Sequence, residues 1–267
     1  LVWDANGKQM NAHFILDNYS SADQKLDFHI QIEDAQATYP LTIDPLTTGY
    51  DWIVYPLQPS SSFGYQYSTA GDINNDGYDD LLVSAQDFDG TYVNQGRVYI
   101  YFGSAVGPSI IADQILDGTV SSSYFGSLLS AAGDVNNDNF DDVIITKSTS
   151  TNVYYGGASG LTGIYAPLTV VGGTDNTATI HRTAGDTNGD GYDDVIVGYA
   201  YADNGQTNEG KVCLFLGGPT GISSSPFRTY ESNQAEASMG NNISGDGDLN
   251  GDGYDDIAIS TYLFDNG

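Results

Sequence analysis

A nine-residue pattern occurs four times in this chain of 267 residues, and no other feature constrains the fold as strongly. Each copy has aspartate at positions one, five, eight and nine, asparagine at position three and an aromatic residue at position seven. The copies are residues 72–80, 134–142, 186–194 and 248–256. Folding so short a segment crowds its carboxylates, and two charges ~4 Å apart repel by roughly 4 kcal/mol at an effective dielectric of about 20. The pattern therefore predicts a loop that surrounds a hard cation.

Calcium suits this pattern because it takes about six to eight oxygen ligands in a flexible geometry. Each loop can offer aspartate, asparagine and aspartate side chains, a backbone carbonyl and a last aspartate in succession. Position six requires a sharp, often left-handed bend, which explains the glycine in three copies and Asn139 in the second. The alternative is a set of solvated turns without metal, and the fourfold repetition argues against it.

The residues that follow each loop exclude an EF-hand. An EF-hand continues to a glutamate at position twelve and connects two helices, whereas position twelve here is valine or isoleucine. Each loop is followed by a short apolar run, rich in β-branched residues, that predicts a buried strand. These runs are residues 81–83, 143–145, 195–197 and 257–259.

A longer unit recurs around each loop from about residue 47 onwards. It is predicted to open with a strand and pass through a Phe-Gly pair before the loop. After the apolar strand come a variable polar segment and a last strand that ends in glycine. The opening strands are 51–55 and 109–113, the variable segments 87–95 and 201–209, and the last strands 96–103, 152–156 and 210–217. Such a unit holds about four short strands and cannot bury both faces alone, so the chain is predicted to be all-β, a β-propeller of four-stranded blades.

The repeats also suggest how the chain divides. Residues 1–46 lack the unit and are predicted to be the end of an upstream β-rich domain with its linker, in which residues 28–32 alternate like a strand. Residues 47–267 are predicted to be the propeller repeats. The chain starts at Leu1 and stops at Gly267 inside a repeat, which predicts a part of a longer protein that is truncated at the C-terminus.

Charge and cysteine content narrow the classes of function. The formal net charge is −28, from 35 acidic and 7 basic residues, which excludes nucleic acid as a partner because phosphate binding needs a basic face. No direct insertion into a membrane is expected either. Cys213 is the sole cysteine and is predicted to be a buried thiol, so calcium replaces disulfides as the expected staple. Resting cytosolic calcium is too low for sites with dissociation constants of about 10⁻⁴ to 10⁻³ M, which predicts an extracellular or cell-surface location.

No residue is assigned a catalytic role. His181 is the one histidine within the repeats, and packing on a strand is favoured over action as a catalytic base. Two alternatives stay open at this stage: a catalytic domain in another part of a longer chain, and a purely structural spacer.

The repeated unit resembles the FG-GAP repeat. The resemblance rests on Phe-Gly, then Ala-Gly-Asp-x-Asn-x-Asp-Gly-Tyr-x-Asp, then an apolar strand and Gly-Arg/Lys-Val-Tyr-x-Phe-Gly, and it covers residues 50–267 approximately. FG-GAP repeats form the amino-terminal propeller of integrin alpha subunits and occur in many bacterial surface proteins. The resemblance implies a ring of seven blades, about four of them in this chain, and a bacterial secreted or surface protein. The Gly-Ala-Pro part of the name is replaced here, for example by residues 84–86, so the resemblance specifies no particular ligand.

The resemblance also implies the calcium ligands, five for each of up to four Ca²⁺ ions. They are the side chains at positions one, three, five and nine and the carbonyl at position seven. By position they are Asp72, Asn74, Asp76, Tyr78 and Asp80; Asp134, Asn136, Asp138, Phe140 and Asp142; Asp186, Asn188, Asp190, Tyr192 and Asp194; and Asp248, Asn250, Asp252, Tyr254 and Asp256. The position-eight aspartates, which the family does not require, are expected in the outer shell or at the surface.

The function implied by the resemblance is adhesion or ligand binding by a calcium-rigidified propeller outside the cell. In the family the metal loops lie on one face and the variable segments on the other. Contacts with a protein or glycan partner are therefore expected at residues 87–95 and 201–209, where tyrosines could act as anchors. The alternative is a non-catalytic propeller that is attached to, or part of, a secreted polysaccharide-active or hydrolytic enzyme.

Overall fold

The computed structural model describes residues 6, 52–148, 150–170, 174 and 177–265, together with the backbone of residues 2–3, 12–20, 25–32 and 42–43. The chain forms two compact units, Leu1–Ile53 and Val54–Gly267. No helix occurs in this described part, so none there is long and apolar enough to cross a membrane.

The first unit contains short antiparallel pairs of strands. Its described strands are β1 (Val2–Trp3), β2 (Ala12–Ser20), β3 (Lys25–Ile32) and β4 (Thr42–Ile43). β1 pairs with β4, and β2 pairs with β3. The strand predicted at residues 28–32 lies within β3 and is confirmed.

The second unit is a series of four antiparallel sheets, the blades of a partial β-propeller, which confirms the predicted fold class. The first blade contains β5 (Phe63–Gly71), β6 (Asp80–Ala85), β7 (Arg97–Tyr101) and β8 (Gln114–Asp117). The second contains β9 (Leu128–Gly133), β10 (Asp142–Lys147), β11 (Ser150–Tyr154) and β12 (Tyr165–Leu168). The third contains β13 (Ile180–Gly185), β14 (Asp194–Tyr199), β15 (Lys211–Phe215) and β16 (Arg228–Glu231), and the fourth has two described strands, β17 (Met239–Ser244) and β18 (Ala258–Thr261). Within each blade the strands pair in sequence order.

The strands predicted to open each unit are wrong. Residues 52–55 and 109–113 are irregular, and the strand that follows, β8, is the last one of the first blade. Ile110 and Ile111 are 71% and 74% exposed, so they lack the neighbours through which β-branched residues favour a strand. The first strand of a blade instead begins at or near the Phe-Gly position, as β5 does at Phe63.

The second strand of each of the first three blades has an apolar run because both of its faces are buried. Side chains alternate across a strand, so Val143 and Ile145 of β10 pack in a cluster with the first blade, and Ile144 packs in a cluster with the third. β14 repeats the arrangement with Val195 and Val197 on one face and Ile196 on the other. The predicted buried strands are confirmed for the first three blades, and Cys213 is confirmed as a buried thiol.

Candidate metal loops and the contacts between blades

The four repeated loops lie on one face of the propeller unit. Each connects the first strand of its blade to the second, and the first strands β5, β9, β13 and β17 lie next to one another in chain order. The variable segments connect second to third strands, so they lie at the opposite end of each sheet. The structure thus separates a face of acidic loops from a face of variable loops.

The aspartate at position one organises its own loop. Asp72 Oδ1 accepts a hydrogen bond from the backbone N–H of Asp76 (2.9 Å), and Asp72 Oδ2 accepts one from Gly77 (2.7 Å). The same two contacts recur in the other three loops. The left-handed bend predicted at position six is confirmed, with φ of 92° at Gly77 and 70° at Asn139.

Position four is a second left-handed residue, which was not among the predictions from the sequence. It is Asn75 in the first loop and Gly189 in the third, with φ of 56° and 75°. Asparagine and glycine tolerate this conformation best, and every copy has one or the other at position four. The restriction of position four to asparagine or glycine is the sequence signal that indicates this left-handed conformation.

The aspartate at position nine is buried beneath the loop in the first three blades. Asp80 Oδ2 accepts from the N–H of Ile73 at position two (3.1 Å), and Asp80 Oδ1 accepts from the N–H of Gly103 at the end of the third strand (2.8 Å). Asp142 and Asp194 make the same pair of contacts. Burial raises the pKa of Asp80 to about 6 and that of Asp142 to about 8. These carboxyl groups therefore join the loop to the sheet.

The loops hold the donor types that calcium requires, and one donor atom has no other partner. Asn74 Oδ1, at position three of the first loop, is buried and accepts no hydrogen bond from any described residue. Carboxylate oxygens keep a free lone pair after accepting one N–H, so the contacts of Asp72 do not use up its capacity. No group of three or more His, Cys, Asp or Glu side chains in the described part of the chain is already arranged around a metal position. The donor set fits calcium, while the ligand assignment itself stays a prediction.

The aspartates at position eight connect neighbouring blades, which corrects the expectation of an outer-shell or surface role for three of them. Asp141 Oδ2 accepts from the N–H of Asp72 in the preceding blade (2.7 Å), and the N–H of Asp141 donates to the Asp72 carbonyl (3.1 Å). Asp193 and Asp255 make the same paired contacts with Asp134 and Asp186. Burial raises the pKa of Asp141, and it raises that of Asp193 to about 6. Asp79 of the first blade is exposed, as expected.

The glycine two residues after the third strand of each of the first three blades lies close to the backbone of the loop face. A Cβ on Gly217 would lie 2.7 Å from the carbonyl oxygen of Val135 and closer still to that of Asp193. Gly103 and Gly156 are equally crowded by the position-eight carbonyl of their own blade. The repeated glycine therefore reflects close backbone approach and not only turn chemistry.

A buried Ser-His pair lies between the second and third blades. Ser130 Oγ on β9 and His181 Nδ1 on β13 are 2.6 Å apart, and His181 is 1% exposed. His181 Nε2 has no hydrogen-bond partner among the described residues. Burial, with a smaller contribution from Arg182, lowers the pKa of His181 to about 3, so the ring is neutral at physiological pH. The pair is shut off from solvent, and it connects two first strands, as expected for a packed strand histidine.

The variable segments are anchored at their bases and exposed at their tips. Buried Gln95 accepts from the N–H of Tyr92 (2.8 Å), and buried Glu209 accepts from the N–H of Asn204 (2.8 Å). Tyr92, within the first segment, is 44% exposed, and Tyr201, at the start of the other segment, is 58% exposed. These segments are thus ordered turns that present an aromatic side chain to solvent.

Comparison with known proteins supports an FG-GAP, integrin-like relationship. The FG-GAP repeat model matches residues 63–101 and 183–215, which belong to the first and third blades. Integrin alpha-7 of Mus musculus is 36% identical over 94 residues, covering 35% of this chain and 8% of the relative. Integrin alpha-8 of Mus musculus is 25% identical over 215 residues, covering 77% of this chain and 15% of the relative.

A relative whose name describes an enzyme is also similar in sequence to this chain. Phosphatidylinositol-glycan-specific phospholipase D of Homo sapiens is 31% identical over 173 residues, covering 57% of this chain and 20% of the relative. The chain thus spans at most about a fifth of these relatives.

Proposed function

We propose that this chain, with its FG-GAP repeats and its similarity to integrin alpha chains, is an extracellular calcium-binding propeller module that binds a protein or glycan partner. The buried Asn74 Oδ1 without a hydrogen-bond donor is the observation that carries the calcium proposal. It lies at position three of a loop whose aspartates at positions one and five are already held by the loop backbone. A cation is the partner that such an acceptor and two carboxylates have in common.

Calcium in this proposal is structural. The residues that would hold it are the side chains at positions one, three, five and nine and the carbonyl at position seven of each loop. Burial disfavours the charged forms of Asp80 and Asp142 and raises their pKa values to about 6 and about 8. A divalent cation nearby favours those charged forms and so stabilises the loop and the strand that begins at position nine.

The partner is proposed to bind on the face opposite the acidic loops. Tyr92, Val93 and Tyr201 are exposed there on turns whose bases are hydrogen-bonded and buried. Aromatic side chains on ordered turns lose little conformational freedom on binding, which makes them effective anchors. The extracellular location is proposed because sites of this class need calcium at the concentrations found outside cells.

A thermal melt in calcium and in excess EDTA tests the calcium proposal, together with stoichiometry by calorimetry. We expect a melting temperature many degrees higher in calcium, with three or four ions bound. Asp76→Ala should lower the stoichiometry by one, because Asp76 is the position-five ligand of the first loop. Asp79→Ala is the matched control in the same loop, since Asp79 is exposed and is not a proposed ligand. Unchanged stoichiometry in Asp76→Ala would contradict the ligand assignment.

A second candidate function is a propeller attached to, or part of, a secreted hydrolytic enzyme. The observation that favours it is the similarity to a phosphatidylinositol-glycan-specific phospholipase D over 173 residues. In that case the propeller supplies binding while catalysis belongs to other residues. Hydrolase activity in the longer protein that survives Ser130→Ala and His181→Asn would support this candidate, and loss of activity with the fold intact would contradict it.

A further inference from the structure

Each contact of a position-eight aspartate with the preceding blade joins two loops that would hold different ions. Asp141 stands between Phe140 and Asp142, which are both proposed ligands of the second loop. Its carboxylate holds the N–H of Asp72, which is the position-one ligand of the first loop. A single residue thus connects the ligand sets of two neighbouring blades.

We propose that the position-eight aspartates couple calcium binding between neighbouring loops. Asp141 links the second loop to the first, Asp193 links the third to the second, and Asp255 links the fourth to the third. The coupling rests on the proposed calcium function, because it has no meaning if the loops bind no ion.

The geometry of the link shows how coupling arises. An ion in the second loop fixes the Phe140 carbonyl and the Asp142 carboxylate, and with them the backbone on both sides of Asp141. The two hydrogen bonds of Asp141 to the N–H and carbonyl of Asp72 then hold the position-one ligand of the first loop in place. Coupling of this kind is reciprocal, so an ion in the first loop also strengthens binding in the second.

The charges around the link act in the same direction. Asp141 lies in the field of Asp134 from its own loop and of Asp72 and Asp79 from the first loop. Each bound cation would offset the electrostatic repulsion between the Asp141 carboxylate and the carboxylates of both loops. An ion bound in one loop would therefore reduce the electrostatic repulsion that opposes the hydrogen bonds between Asp141 and Asp72.

The Asp141 carboxylate lies where a side chain on the residue before Asp72 would be, and that residue is glycine. Gly71 precedes Asp72 with φ of +72°, and a Cβ there would collide with the Asp141 carboxylate. Gly133 and Gly185 meet Asp193 and Asp255 in the same way. Gly247, which precedes the fourth loop, has open space where its Cβ would be. Of the four glycines that directly precede the loops, the three with left-handed φ are the ones that contact a carboxylate from the next blade.

Site-resolved calcium titration by NMR tests the coupling, with the amides of position six as reporters: Gly77, Asn139, Gly191 and Gly253. Asp141→Ala changes no proposed ligand, yet we expect the calcium affinity reported by Gly77 to fall about tenfold, which is about 1.4 kcal/mol. Asp79→Ala removes the same position-eight side chain without a link to a preceding described loop, and the affinity at Gly77 should stay near that of the wild type. Asp141→Asn keeps an acceptor for the Asp72 N–H and should restore most of the affinity.

Amide hydrogen exchange in EDTA supplies a readout that needs no calcium. In the wild type the amides of Asp72, Asp134 and Asp186 should exchange more slowly than that of Asp248, and Asp141→Ala should remove the protection at Asp72 alone. Wild-type calcium affinity at Gly77 in Asp141→Ala, or an equal loss in Asp79→Ala, would overturn the coupling while leaving the calcium function in place. No response of any reporter to calcium would overturn both, with the exchange pattern still showing whether the links form.

Discussion

At the scale of residues, aspartates that look alike in the sequence have three different environments. Asp72 at position one is held by the amides of its own loop, Asp141 at position eight binds the preceding blade, and Asp142 at position nine is buried under its loop. Burial raises the pKa of Asp142 to about 8, whereas hydrogen bonds from backbone N–H groups, that of Gly253 first, lower the pKa of exposed Asp248. Burial and hydrogen bonding, not residue type, set the ionisation of each carboxyl group.

The buried histidine predicts a specific pH dependence of stability. The pKa of His181 is about 3 in the folded chain and 6.5 is its ordinary value. Below pH 6.5 His181 is protonated in the unfolded chain, whereas in the folded chain it stays neutral down to about pH 3. The free energy of unfolding therefore falls as pH falls through this window. The contribution is about 1.4 kcal/mol per pH unit. Denaturant unfolding of His181→Asn should therefore show a shallower loss of stability over that range than the wild type.

Ser130→Ala is the control for this prediction. It removes the contact with His181 Nδ1 but leaves a buried, titratable ring. We expect lower stability at every pH with the wild-type slope retained. An unchanged slope in His181→Asn would show that other groups cause the acid sensitivity.

At the scale of elements, each blade is set against the next by close backbone approach at the end of its third strand. Gly156 donates to the buried Asp142 carboxylate, and the N–H of Gly157 donates to the carbonyl of Ile73 in the preceding blade. Gly217 and Gly218 repeat both contacts with Asp194 and Val135. A side chain at Gly156 or Gly217 has no space, whereas a Cβ on Gly218 has no atom closer than 3.9 Å.

Adjacent glycines therefore predict opposite results. Gly217→Ala should destabilise the protein by about 1–3 kcal/mol, because its Cβ would press against the carbonyls of Asp193 and Val135. Gly218→Ala should be neutral or slightly stabilising, since the nearest atom to its Cβ lies 3.9 Å away and the unfolded chain loses freedom. Chemical denaturation of both variants measures the difference. Similar losses in the two would argue against crowding as the cause.

At the scale of the whole molecule, the excess of negative charge opposes folding. The net charge is −28, and four calcium ions would bring it to −20. Much of that charge lies in four loops on one face, where the carboxylates repel one another when no ion is bound.

Salt should therefore stabilise the metal-free protein. Raising NaCl from about 0.01 M to about 1 M shortens the Debye length from about 30 Å to about 3 Å, and the melting temperature in EDTA should rise. The same increase should have a smaller effect in calcium, because bound ions already offset the repulsion in the loops. Choline chloride at equal ionic strength is the control, since it screens charge without entering an oxygen site. A melting temperature in EDTA that falls with salt would contradict this account.

Features that depend on residues close in the sequence were predictable. They are the repeated nine-residue loops, the left-handed bend at position six, the apolar second strands and the all-β blades. Turn chemistry and side-chain alternation act over a few residues, so the pattern shows them directly. The first strands at the Phe-Gly position and the left-handed position four were missed, although both leave local signals.

The tertiary structure alone decided which group each aspartate meets. The partner of Asp141 is Asp72, 69 residues away, and that of His181 is Ser130, 51 residues away. No local pattern encodes such pairings, because they depend on how one blade stacks on the next. The sequence by itself determined four acidic loops on a blade-forming chain. Burial between blades determined that position nine supports the sheet, that position eight joins neighbouring loops, and that His181 stays neutral, since each of these depends on the desolvation that packing imposes.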